Sequence, residues 1–134
     1  MVIKSGTDIV NIDRIKNFTA ELRSDFAKKI LCESEYDEYI SLSNKDRADI
    51  FLASRFSAKE AISKAFGSGI SAELGFKDIC IKHNSRHKPY VEFSAVANNF
   101  INKFKIISHD LSISHDSNFA ITLYCALVEE DPEF

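Results

Sequence analysis

Residues 46–66 place Phe51, Leu52, Arg55, Ala58, Ile62, Ala65 and Phe66 near one helical stripe and then run into Gly67-Ser68-Gly69. That spacing predicts a helix of about six turns. Gly67 is suited to the left-handed residue that stops it. Ala53, Ser54, Ser57, Ala61 and Ser63 are small, so a neighbouring backbone can come close. An element this long needs an extended partner to cover its apolar face.

The rest of the chain supplies strands. Residues 2–12 read as a first strand, interrupted near Ser5-Gly6, with a β-branched run at Ile9-Val10-Asn11-Ile12. Asp13 is the expected cap of a helix over 14–31, where Phe18, Leu22, Phe26, Ile30 and Leu31 recur at helical spacing. A short acidic helix from Glu33 or Ser34 reaches about Leu42. Strands follow over 76–82 and 90–93, separated by the turn 84–89. A helix is expected over 95–104, then two long strands over 105–114 and 118–128, joined at His115-Asp116-Ser117. The prediction is α+β: an antiparallel sheet packed on one long helix. Residues 1–128 form one domain and 129–134 an acidic tail, expected to be solvated.

Composition narrows the functional classes. With 134 residues and 45% hydrophobic content, the chain can build one packed core. A net charge of -3 argues against general nucleic-acid binding. No apolar run approaches the ~18 residues of a membrane span, and no signal-peptide layout opens the chain. Cys32, Cys80 and Cys125 are odd in number and widely spaced. They suggest neither a disulfide framework nor a metal knuckle, so a cytoplasmic, reducing setting is expected. Lys and Arg are in excess over 1–30 and Asp and Glu over 31–49. That is either scatter or a basic face for an acidic partner.

Several residues stand out for their chemistry, each with a plainer reading beside it. Asp8 lies inside a predicted strand next to Gly6, where a carboxylate is disfavoured. It is either a rigid hard-cation ligand or a bulge residue bonded to local N–H groups. Glu60 and Lys64 are one turn apart, a surface salt bridge or two separate ligand contacts. Asp8 with Glu60 would match the one or two carboxylates that Mg²⁺ usually takes. Gly67-Ser68-Gly69 is a helix stop, or a turn presenting N–H groups to a phosphate. Lys59, Lys64 and Lys88 can supply charge to a polyphosphate or remain solvated. His83 and His87 bracket a turn and lack an HExxH context, so they are not read as a metal pair. His115 ends an alternating strand.

The order of these signals is more specific than any one of them. Gly6-Thr7-Asp8-Ile9-Val10, the Arg55-Phe-x-x-Lys59-Glu60-Ala61-x-x-Lys64-Ala-x-Gly67-x-Gly69-Ile70 run, Lys88-Pro89-Tyr90-Val91 and Ser112-Ile113-Ser114-His115 resemble the holo-acyl-carrier-protein synthases. These are the short bacterial 4′-phosphopantetheinyl transferases. The resemblance spans about residues 2–128. It implies the fold of that family and Mg²⁺-dependent transfer of phosphopantetheine from coenzyme A to a serine of apo acyl carrier protein, a step of fatty acid biosynthesis. By resemblance, Asp8 and Glu60 hold the metal, and Glu60 and Lys64 are the catalytic pair. Lys59, Lys64, Gly67, Ser68, Gly69, Ile70, Lys88, Pro89 and His115 border coenzyme A. Arg14, Lys16 and Arg23 meet the carrier protein. The chain is about half the length of two-lobed relatives, which implies a homotrimer with active sites between subunits. Val10 stands where larger members often carry an acid, Arg86-His87 where glycine is usual, and Asp25 where a base is expected. The competing reading is a non-catalytic coenzyme A or carrier-protein binding module. The presence of Asp8, Glu60 and Lys64 together weighs against it.

Overall fold

The computed structural model describes residues 1–133; Phe134, the end of the expected acidic tail, lies outside the described residues. Strand β1 (Val2–Asn11) runs unbroken through Ser5-Gly6, where an interruption was expected. Asn11, not Asp13, caps the short helix α1 (Ile12–Lys16), its side chain accepting the Asp13 N–H. The helical spacing over 14–31 is divided between this short helix and a second one. Thr19 starts α2 (Ala20–Ile30) by accepting the Leu22 N–H at 3.1 Å, which satisfies one orphan donor of the first turn. Then come α3 (Glu33–Ser41) and the long α4 (Lys45–Ala65), capped by Asn44.

Gly67 and Gly69, at φ 75° and 59°, turn the chain off the end of α4. The N–H of Gly67 bonds the Lys64 carbonyl and that of Gly69 the Ser63 carbonyl, so the last turn is closed by backbone. A single 3-10 turn (Phe76–Asp78) precedes β2 (Ile79–His83). The chain continues through β3 (Pro89–Phe93), α5 (Ala95–Ile101), β4 (Ile106–His115) and β5 (Phe119–Val128). Among the described residues there are two sheets rather than one: an antiparallel β1-β5-β4 sheet and a separate β2-β3 hairpin.

α4 lies across the inner face of the three-stranded sheet. Ile62, Ala65 and Phe66 pack with Tyr124, Ala126 and Val128 of β5 in one buried cluster. Leu52 and Ala53 join Ile12, Ile15, Ile30 and Ala120 in a second. β1 meets α4 backbone to backbone at Gly6. A Cβ there would overlap the Ala61 carbonyl oxygen and come within 2.9 Å of the Ala65 nitrogen. Glycine is therefore required at this crossing, for closeness rather than for dihedral freedom.

The start of the tail is not simply solvated. The Glu129 and Glu130 N–H groups bond the carbonyls of Lys105 and Phe104, and Asp131 pairs with Lys4 of β1. Among the described residues no helix is long and apolar enough to cross a membrane.

Candidate active site

Close packing of β1 on α4 places Asp8 beside the polar side of that helix. Asp8 faces inward opposite Thr122 of β5, and its carbonyl accepts from Ser57 Oγ at 3.1 Å. Lys64, one turn beyond Glu60, donates from Nζ to Asp8 Oδ1 at 2.9 Å and to the Thr7 carbonyl at 3.1 Å. Lys64 thus pairs with Asp8 across the β1–α4 crossing, rather than with Glu60 as a surface bridge would. Its side chain stays 54% exposed, so the ammonium remains open to solvent.

The second Asp8 oxygen, Oδ2, is buried without a hydrogen-bond partner, and so is Thr122 Oγ1 across the strand. An unpaired buried oxygen is costly, and a carboxylate oxygen more so. Glu60 is close enough to feel it. Burial first, and then the Asp8 charge, hold the Glu60 carboxyl above the ordinary range, with Lys64 and Arg14 pulling the other way. Two mutually repelling carboxylates, an orphaned oxygen and a nearby ammonium suit a hard dication with an anion beside it.

Lys59 does not join them. It was expected against coenzyme A, but it is fully buried on another side of α4. Its ammonium donates to Glu35 Oε1 at 2.6 Å and to the carbonyls of Ile30 at 2.5 Å and Phe76 at 3.0 Å. Burial lowers its pKa, and Glu35 opposes the shift. One residue along a helix is a turn of about 100°, which separates Lys59 from Glu60. The Glu35 carboxylate, buried as deeply, also accepts the N–H groups of Cys32 and Ile81.

A second site lies off the β4 edge. His115 and Pro89 line a cleft of about 360 Å³ with Arg47, Phe51, Arg55, His83 and His87. The Arg55 guanidinium stacks 4.2 Å over the Phe51 ring, and its Nε is buried without a hydrogen bond. Burial and then the Arg55 charge hold His83 below its ordinary pKa, with Glu38, 3.8 Å from the Arg55 guanidinium on the same cleft wall, opposing the shift. Sequence reasoning counted Arg55 as helix stripe and did not bring Arg47 into the site. The signal available was Arg at helical spacing on the same face as Phe51. Lys88 turns elsewhere: its Nζ is 2.8 Å from Asp110 Oδ1, in a smaller cavity that shares Pro89 with the cleft. Gly67, Ser68, Gly69 and Ile70 form the turn at the C-terminal end of α4. There Ser68 Oγ bonds the Gly69 carbonyl and Ile70 packs on the core.

The two groups are set apart on the chain. β1 and β4 are the opposite edges of the sheet. Glu60 and Arg55 project from α4 about 140° apart.

Of the basic residues expected to meet a partner, Arg14 is exposed, stacks 5.7 Å over Phe56 and acts on Glu60 through its charge. Lys16 is partly buried. Arg23 is a correction: its guanidinium is bound to buried Asp49 and to the Ile15 carbonyl, which makes it a brace between helices.

The profile of the 4′-phosphopantetheinyl transferase superfamily matches residues 4–123. A holo-[acyl-carrier-protein] synthase of Nitrosomonas eutropha is 38% identical over 120 residues, covering 90% of this chain and 94% of that protein. The crystal structure of holo-[acyl-carrier-protein] synthase from Neisseria meningitidis superposes with a TM-score of 0.83 at 30% identity, over 92% of this chain and 97% of that one. The Helicobacter pylori holo-[acyl-carrier-protein] synthase in complex with coenzyme A gives 0.75 at 33% identity, over 92% and 99%.

Proposed function

This chain belongs to the 4′-phosphopantetheinyl transferase superfamily, and from that premise we propose that it transfers 4′-phosphopantetheine from coenzyme A to a serine of an apo acyl carrier protein. The bond from the phosphopantetheine phosphorus to the bridging pyrophosphate oxygen breaks, a bond to the serine oxygen forms, and adenosine 3′,5′-bisphosphate leaves. The nucleophile belongs to the partner, so none is needed here. The observation that carries the reading is the buried, unpartnered Asp8 oxygen beside Glu60, with Lys64 on the same carboxylate.

Asp8 and Glu60 would hold Mg²⁺, which when bound neutralises pyrophosphate charge. Lys64 offsets charge on the leaving phosphate. Glu60 would act in catalysis through the metal that it holds with Asp8. Arg14, exposed next to Glu60, steers the acidic carrier protein.

The reading includes a homotrimer with sites shared between subunits. Two observations support it. The metal-binding side and the cationic His115 cleft sit on opposite edges of one sheet. The outer face of that sheet exposes Ile9 (62%), Ile121 (47%), Leu123 (47%) and Phe119 (42%), an apolar surface suited to burial against another copy.

The test is direct. Pure protein, coenzyme A, Mg²⁺ and apo carrier protein are combined and the carrier is weighed intact. A phosphopantetheine adduct that requires Asp8 and Glu60 supports the reading. No adduct on any of several carrier proteins overturns it.

A further inference from the structure

Cys32, just before α3, and Cys80, in β2, are joined by a disulfide with Cα atoms 5.8 Å apart and a sequence separation of 48. The sequence suggested no such framework; the pair forms because folding, not spacing, brings α3 against β2. The bond lies in the wall of an open cleft of about 450 Å³, apart from the Asp8 group and the His115 cleft.

Its position matters because the bonded residues flank a single carboxylate. The Cys32 N–H donates to Glu35 Oε1 at 2.9 Å, and the N–H of Ile81, next to Cys80, donates to Glu35 Oε2 at 3.1 Å. That carboxylate holds Lys59, the residue before Glu60, and lies 3.5 Å from Arg55 Nε. Glu35 therefore ties the disulfide to α4 at two points, Lys59, which precedes Glu60 in the helix, and Arg55, which lines the His115 cleft.

The two sulfurs are also unequal. Cys80 is the more open to solvent, whereas Cys32 is 9% exposed and precedes the nine-residue α3. Ser34 Oγ lies 3.2 Å from Cys80 Sγ and 3.5 Å from Cys32 Sγ, placed to bond either. On the cleft rim Lys77 favours thiolate, and Glu33 and Asp37 oppose it. Attack at Cys80 with Cys32 leaving is the favoured course, since Cys80 is the sulfur more open to an incoming thiolate.

We propose that Cys32 and Cys80 form a thiol–disulfide switch that acts on the transfer site through Glu35. Its redox chemistry stands alone; its consequence for catalysis rests on the transferase reading. A thiolate of a dithiol reductant attacks Cys80 Sγ, the S–S bond breaks, and Cys32 leaves and is protonated. The reductant's second thiol then resolves the mixed disulfide. Two electrons pass to the protein, which holds two thiols, and the reductant becomes a cyclic disulfide. The reverse exchange restores the bond. The oxidised form clamps α3 to β2 around Glu35; the reduced form leaves that carboxylate's hydrogen bonds to do so alone.

The test equilibrates the full chain in reduced or oxidised dithiothreitol, then quenches, unfolds and alkylates it for intact mass. Of the 3 cysteines, Cys125 is free. One alkyl group is expected in the oxidised buffer and three in the reduced. Reduction should lower the melting temperature by on the order of 10 °C. It should speed hydrogen exchange of the α4 amides from Ser57 to Lys64 and slow transfer roughly two- to thirtyfold. A Cys32→Ser/Cys80→Ser double variant should behave as the reduced form in both buffers. Three alkyl groups in both buffers would overturn the proposal. So would one and three with unchanged melting and α4 exchange. Absence of transfer in both states would count against the transferase reading alone, because thiol count, melting and exchange still judge the switch.

Discussion

Lys59 and Lys64 are the same residue type on one helix, and their replacement should have opposite signatures. Lys59 is sealed against Glu35, so Lys59→Met removes the closer of the two cations that neutralise a buried carboxylate, leaving only Arg55 at 3.5 Å. The expected cost is about 3–5 kcal/mol in urea unfolding. Lys64 is exposed and tied only to the β1 strand, so Lys64→Ala should leave the unfolding midpoint nearly unchanged. Transfer should fall at least about a hundredfold in the same variant. Equal loss of stability in both would contradict the geometry.

Glu60 gives a pH prediction with a definite sign. Its folded pKa is raised, so the folded state holds the proton more tightly than the unfolded chain. Its contribution is fully favourable below the ordinary glutamate range. That contribution is lost as pH rises from there through the folded pKa. At neutral pH the ionised group therefore costs stability, and Glu60→Gln should melt slightly higher than the parent while losing transfer. The gap in melting temperature should close as pH falls below the ordinary glutamate range. A Gln variant that melts lower at neutral pH would reject the strained-carboxylate account.

At the scale of elements, the crossing of β1 and α4 builds the site, and Gly6 permits it. Gly6→Ala drives a methyl into the Ala61 carbonyl, so the strand must lift from the helix. The expected destabilisation is at least about 3 kcal/mol. Any folded fraction should have weak metal affinity, because Asp8 moves away from Glu60. Isothermal titration of Mg²⁺ into the folded variant checks this. α4, β4 and β5 were legible in the sequence because they rest on local periodicity, whereas the Asp8–Lys64 contact joins residues 56 apart and no spacing announces it. The break at Thr19 was missed because residues 14–31 keep one apolar spacing across a cap that only hydrogen bonding reveals. Lys59 and Arg23 were misassigned because spacing cannot tell which face of a helix another element covers. Here those faces meet Glu35 and Asp49. The Cys32–Cys80 contact depends on how α3 sits against β2, across 48 residues of chain.

For the whole molecule, the proposal of a shared site rests on the Asp8–Glu60 group and the His115 cleft lying toward opposite edges of one sheet. If a complete site takes Glu60 from one subunit and His115 from the next, two inactive variants can repair each other. Glu60→Gln lacks the metal-binding half and keeps the cationic cleft; His115→Ala does the reverse. In a trimer formed at random from equal amounts, a working site needs an unaltered Glu60 from one variant beside an unaltered His115 from the other. The chance is one half for each, so about a quarter of sites should work. Each variant alone should be nearly inactive. Co-refolding the pair should restore about a quarter of parental transfer, and mixing the folded proteins should restore it only as fast as subunits exchange. A monomer with both halves working in one chain would show no repair under either protocol. The apolar outer sheet face predicts the same dependence on assembly. Leu123→Lys, on that exposed face, should lower the mass seen by light scattering and abolish transfer with the Asp8 group untouched.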